Sequence, residues 1–203
     1  MKFDIVSMIE IEYLGHSAFV LRQGVDEVLI DPFITGNPVA PPSAHEVRPT
    51  LILVTHGHDD HSGDAVELSK RFDCPVLSTF EVGNALAEMG AEIISGHIGG
   101  EFHFPFGRVK LFPAVHSSSF DNVHGVGVPC SFLIEMNGKV IFHAGDTALF
   151  GDMALIRDEA AIDVALLPVG GDLYNGSKGC PEGHAVLGSQ TNGAHALRDL
   201  RGH

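Results

Sequence analysis

The chain has 203 residues, 12 Lys and Arg against 26 Asp and Glu, and a formal net charge of −14. An apolar fraction of 44% supplies a core and excludes disorder throughout, and the length favours one large domain. The acidic balance disfavours nucleic-acid binding, which needs an excess of Lys and Arg, and no stretch approaches the ~18 consecutive apolar residues of a membrane span.

In chain order, Ile9–Leu14 and Ser17–Arg22 are short β-rich runs separated by Gly15 and His16, and Glu27–Ile30 reads as a third strand ended by Asp31-Pro32. Residues 35–49 are Pro-rich and predict an irregular loop. Thr50–Thr55 is a β-branched apolar run, the pattern of a strand buried on both faces. Ala65, Leu68 and Phe72 share one face of a helix. Pro75–Leu77 is a strand, and Ser78-Thr79-Phe80-Glu81 reads as a capping box opening a helix that Gly90 stops. Strands follow over Phe102–Phe104, Val109–Ala114, Ser131–Met136 and Lys139–His143, the last two joined by an Asn137-Gly138 turn. Asp152–Arg157 predicts a short helix and Val164–Val169 another buried strand, with no strand signal beyond it. Runs of strands with helices between buried strands predict a sandwich of sheets with helices outside.

Thirteen His stand against two Tyr and no Trp, an imbalance that metal chemistry explains better than packing. Six residues, His56-Gly57-His58-Asp59-Asp60-His61, form HxHxDH directly after a buried strand. A loop leaving the strand can aim His56 and His58 at one point, while Asp60 and His61 serve a second point nearby. Imidazole and carboxylate together suit zinc and similar divalent ions. Each ion wants about four donors, and His116 and Asp146 both sit just past predicted strands. Either alone would read as a turn residue; beside HxHxDH they read as ligands. Cys74, Cys130 and Cys180 are widely spaced and odd in number, which argues against a disulfide framework or a Cys-based site and for a reducing cytoplasm. Asp4, Glu10 and Glu12 interrupt any apolar leader.

Seven stretches together resemble the metallo-β-lactamase superfamily, and within it the UPF0173 metal-dependent hydrolases, relatives of the ascorbate-phosphate lactonase branch. They are YLGHSAF (13–19), LIDPFITGNP (29–38), LVTHGHDDHSGD (53–64), HIGG (97–100), PAVHSSS (113–119), HAGDTALFGDM (143–153) and DVALLPVGGD (163–172). The resemblance implies a four-layer αββα sandwich over residues 1–174. It assigns His56, His58 and His116 to one metal, Asp60 and His61 to the other, and Asp146 to a bridge between them. It places His16 near the pocket with a catalytic role, and Asp31 beneath the HxHxDH loop, where a plain Asp-Pro turn is the other reading.

The implied cofactors are two divalent ions, zinc first, with manganese or iron as alternatives. The implied activity is attack of a metal-bound hydroxide on an ester, lactone or phosphodiester bond of a small molecule, with Asp60 orienting the nucleophile or moving its proton. Di-iron flavoproteins of the superfamily carry Glu where this chain has His58, which favours hydrolysis over redox chemistry. Residues 175–203 depart from the family and lack its last helix, strand and His ligand. They are expected to form a divergent, poorly ordered tail, with His184 and His195 as weak substitutes. A non-catalytic metal-binding scaffold is therefore the competing expectation. A homo-oligomer stays open.

Overall fold

The computed structural model describes residues 8–120, 123–169 and 184–188. Six strands form the first sheet in sequence order: β1 (Glu10–Gly15), β2 (Ala18–Gln23), β3 (Asp26–Ile30), β4 (Leu51–Leu53), β5 (Val76–Thr79) and β6 (Ile93–Gly96). The first three pair antiparallel and the last three continue parallel from β3, as strands joined by helical crossovers must. Between β4 and β6 the chain forms α1 (Asp59–Ser62), α2 (Ala65–Phe72) and α3 (Phe80–Glu88).

The second half supplies β7 (Glu101–Phe104), β8 (Gly107–Pro113), the short pair β9 (Ser119–Phe120) and β10 (Val123–His124), β11 (Cys130–Met136), β12 (Lys139–His143), α4 (Met153–Glu159), β13 (Val164–Pro168) and β14 (His184–Gly188). Its six-stranded sheet runs β14-β13-β12-β11-β8-β7. Asn137 and Gly138, at φ 48° and 70°, make the tight β11–β12 hairpin turn expected of that dipeptide.

Side-chain alternation builds the layers. Val28, Ile30, Leu51, Leu53 and Leu77 of the first sheet meet Val109, Leu111, Phe132, Ile134 and Ile141 of the second in a buried inter-sheet core. Their strand neighbours Leu29, Ile52 and Val76 face the other way, onto Ala65 and Leu68 of α2 and Val82 and Leu86 of α3. Across the molecule, Leu133, Phe142 and Ala165 pack outward on Ile156 of α4. The result is the expected αββα sandwich, and none of its described helices is long and apolar enough to cross a membrane.

Besides the short elements α1, β9 and β10, three details differ from the sequence reading. Strand β6, a four-residue stretch with no long apolar run, is an addition. The Ser78–Glu81 capping box does not form: the helix begins one residue later, Ser78 Oγ donates to the Val54 carbonyl, and Thr79 Oγ1 donates to the Val128 carbonyl. Both hydroxyls are spent tying the end of β5 to its surroundings. Strand β14 also pairs antiparallel with β13, from Val164 opposite Gly188 to Pro168 opposite His184. The expectation of no strand past Val169 is thus corrected, because Ala185–Leu187 offers enough β-forming backbone to complete the open edge of β13. The rest of the expected poorly ordered tail lies outside the described residues.

Candidate metal centre

The site begins with a buried carboxylate. Asp31, at the end of β3 with φ 45°, is fully buried, and its backbone N–H donates to the Leu53 carbonyl. Its carboxylate accepts the Thr55 N–H at Oδ1, and the Thr55 hydroxyl and the His61 Nδ1–H at Oδ2, each at 2.8 Å. With its own hydrogen given to Asp31, the Thr55 hydroxyl oxygen is left to accept from His56 Nδ1 at 2.9 Å. A neutral His56 then turns an unprotonated Nε2 into the site. One carboxylate therefore sets the orientation of two imidazoles.

Two glycines let the loops close on each other. At Gly57 a Cβ would lie 2.6 Å from the Phe120 ring and 2.8 Å from the Ser119 carbonyl oxygen, and its N–H donates to Ser118 Oγ at 3.1 Å. Gly145, at φ 61°, lies so close to Thr55 and the Cys130 carbonyl that a Cβ would approach each at 2.9 Å. The loop after β8 is fixed to the loop after β12 by the Val115 N–H to Thr147 Oγ1 bond and the Ala148 N–H to Val115 carbonyl bond, at 2.9 and 3.0 Å. His116 and Asp146 are held between those contacts.

All seven expected or implicated side chains meet at this one end of the sandwich. Ligand atoms of His56, His58 and His116 lie within 4.8 Å of one another, as do those of His56, His61 and Asp146, and those of His16, Asp60 and His61. His56 Nε2 is 2.8 Å from His58 Nδ1, His61 Nε2 is 3.2 Å from Asp146 Oδ2, and His116 Nε2 is 3.6 Å from the same oxygen. Donors sharing a tetrahedral ion at ~2.0–2.1 Å sit about 3.3 Å apart. The spacing and the mixed imidazole–carboxylate chemistry therefore fit divalent metal, and two nitrogens turned together at 2.8 Å need a cation between them or a proton on one.

The electrostatics match. Burial pushes His56 well below the ordinary imidazole value, helped by the charge of His61, so it is neutral at pH 7. Burial likewise lowers His116. For His61, burial pulls downward, but Asp31 and Asp146 outweigh it and raise the group to about 10. Burial would raise Asp60, yet the hydrogen bond from His16 and the charge of His61 hold it below the usual carboxylate value. Asp60 is also the open member, with its side chain 45% exposed while His61 is 0% exposed.

Three supports lie outside the candidate ligand set. Ser17 Oγ lies 2.9 Å from His16 Nδ1 and 3.1 Å from His61 Nδ1. Ser118 braces Gly57. His143, fully buried, accepts the Gly145 N–H at Nδ1 and donates from Nε2 to the Ser17 carbonyl, joining the β1–β2 turn to the Asp146 loop. Placement of Ser17 and Ser118 beside predicted ligands was the available signal. His184 begins β14, and His195 lies outside the described residues.

Residues 26–202 match the Beta-lactamase superfamily domain. A UPF0173 metal-dependent hydrolase of Natranaerobius thermophilus is 43% identical over 181 residues, covering 89% of this chain and 78% of the relative. One from Thermus thermophilus is 50% identical over 164 residues, covering 80% and 72%. Among solved structures, Igni18, a novel metallo hydrolase from Ignicoccus hospitalis, superposes with a TM-score of 0.73 at 36% identity, covering 83% of this chain and 73% of Igni18. CmlA, a diiron β-hydroxylase from Streptomyces venezuelae, gives a TM-score of 0.62 at 17% identity over 81% of this chain and 35% of CmlA, a likeness of fold alone.

Proposed function

The chain belongs to the UPF0173 metal-dependent hydrolases of the metallo-β-lactamase superfamily, and we propose that it hydrolyses an ester, lactone or phosphodiester bond of a small molecule at the His56–Asp146 cluster. One observation carries the reading: a group of donors around His56 and a group around His61 are joined by a third, His56-His61-Asp146, and the cluster opens to solvent on the Asp60 side. Under this reading His56, His58 and His116 hold one ion, Asp60 and His61 hold the other, and Asp146 faces both. Zinc suits the donor set best, with manganese or iron as the other candidates. Such ions supply Lewis acidity and an acidified water.

The chain's own groups supply the rest. Asp60 stays anionic at neutral pH, which makes it a good hydrogen-bond acceptor for an incoming water and a weak base. Orientation of the nucleophile is accordingly its main task, with proton transfer to the leaving oxygen following. His56 and His116, both lowered, enter neutral and need lose no proton to act as donors. Burial of His56 and His61 keeps bulk water from one side of the reacting bond and leaves the Asp60 side for substrate entry.

Zinc stoichiometry measured together with turnover of bis-(p-nitrophenyl) phosphate and of a small lactone tests the proposal. Turnover that requires metal and falls at least a hundredfold in His58→Ala supports it. Full metal loading with no turnover on any ester, lactone or phosphodiester would leave a non-catalytic metal-binding scaffold as the correct reading.

A further inference from the structure

The second group of donors has a member that its neighbours in sequence do not explain. His16 sits in the β1–β2 turn with φ 56°, directly after Gly15 at φ 97°. A left-handed backbone is uncommon for any residue but glycine, although histidine, like asparagine and aspartate, adopts it more often than most. Strain of this kind persists where surrounding contacts enforce it. They do so here: the ring packs edge-on against Phe33 and His61, with centroids 5.7 and 5.4 Å away, and its Nε2 is 3.3 Å from Asp60 Oδ2. That separation is what two donors on one tetrahedral ion would show.

We propose that His16 is a metal ligand, and that with Asp60, His61 and Asp146 it gives the second ion a full set of four protein donors drawn from within residues 16–146. The inference rests on the metal-centre reading above and extends it to a residue assigned there only to the pocket. Each ion then has four protein donors: three imidazoles and Asp146 for the first, two imidazoles and two carboxylates for the second. The second set is the more anionic and the more exposed, so it binds the harder and more exchangeable ion.

The surroundings of His16 are built for this task. A ligating imidazole must donate its other N–H to a fixed acceptor, which sets ring orientation and tautomer. Ser17 Oγ stands 2.9 Å from His16 Nδ1 and can accept that hydrogen. A hydroxyl also donates, so the same contact serves the metal-free state, in which His16 Nε2–H faces the Asp60 carboxylate. Ser17 is anchored in turn from the opposite sheet, its carbonyl taking the Nε2–H of buried His143 at 3.2 Å. His143 and Ser17 are thus positioning residues for His16, acting through the turn rather than on the ion.

Zinc binding by the full chain tests the inference without recourse to activity. Equilibrium dialysis against buffered zinc should give two ions per chain for the wild type. In His16→Asn, chosen because Asn tolerates the left-handed turn, one ion should remain and the other should weaken at least tenfold. Ser17→Ala should weaken the same ion by a smaller factor, and His58→Ala should instead weaken the other. In the wild type, 15N NMR of the imidazoles should show the His16 Nε2 resonance move to the metal-bound position at the second equivalent of zinc, a signature that a merely structural His16 would not give. Should His16→Asn fail to fold, that resonance decides alone. Two ions held at wild-type affinity by His16→Asn, or an unmoved His16 Nε2, would overturn the inference and leave metal-dependent hydrolysis standing. A wild-type chain that binds no zinc, manganese or iron would overturn both.

Discussion

Replacing Asp31 by Asn preserves shape and removes a charge at the one buried carboxylate on which the loop depends. The carboxylate accepts three hydrogens, from the Thr55 N–H, the Thr55 hydroxyl and His61 Nδ1. An amide has one oxygen, and its better orientation keeps that oxygen toward the Thr55 hydroxyl and His61. Its NH2 then faces the Thr55 N–H, donor against donor, and an unsatisfied buried donor costs ~1–3 kcal/mol. The two retained bonds fall from charge-assisted to neutral strength, a further loss of ~1 kcal/mol each. The metal-free chain should therefore lose about 3–5 kcal/mol, which for a domain of this size lowers Tm by roughly 6–20 °C. Because His61 also loses its anionic partner, zinc affinity should fall by ~10–100-fold. Calorimetric melting in the presence of a chelator gives the first quantity, and competition with a chromogenic zinc chelator gives the second. An Asp31→Asn protein that melts within about 3 °C of wild type and binds zinc within about threefold of it would refute the role given to Asp31.

Two further changes probe the loop and the pH dependence of the fold. Gly57→Ala must push a methyl into the Phe120 ring and the Ser119 carbonyl, a strain of ~1–3 kcal/mol, and should weaken zinc held by His56 and His58 in the same dialysis measurement. Burial raises Asp163, but the Lys139 bond at 2.8 Å and the Val140 N–H at 2.9 Å outweigh it and lower its pKa. Its contribution is thus present above the unfolded value of ~3.9 and is lost as pH falls through the lower folded value. Asp163→Asn should reduce the urea midpoint at pH 7, and by progressively less as the pH is taken below the unfolded value of ~3.9.

The sandwich was legible because its strands carry their burial in their composition. Thr50–Thr55 and Val164–Val169 read as two-sided strands, and Leu51–Leu53 and Ala165–Leu167 are buried on both faces. The site was legible as a set because HxHxDH puts four donors into six residues, and because His116 and Asp146 follow strands whose ends meet. Contacts made across long sequence separations were not legible. Nothing local shows that His143 will reach the Ser17 carbonyl, 126 residues away, or that the Ser78 hydroxyl will turn to Val54 instead of capping a helix. Strand β14 escaped notice for the same reason, since its pairing depends on the open edge of β13 more than on its own residues.

The donor loops come from both sheets: His56, His58, Asp60 and His61 follow β4, while His116 and Asp146 follow β8 and β12. An ion gripped by both sets is a clasp between the two halves of the sandwich, as well as a reagent. Its grip opposes the sliding of one sheet over the other, a motion that the inter-sheet core of aliphatic side chains resists without directional bonds. Above its dissociation constant, each bound ion adds ~1.4 kcal/mol to the stability of the whole domain for every tenfold rise in free metal. Under the proposed reading, metal supply would thereby set how much of the chain stays folded, independently of how fast it turns over substrate.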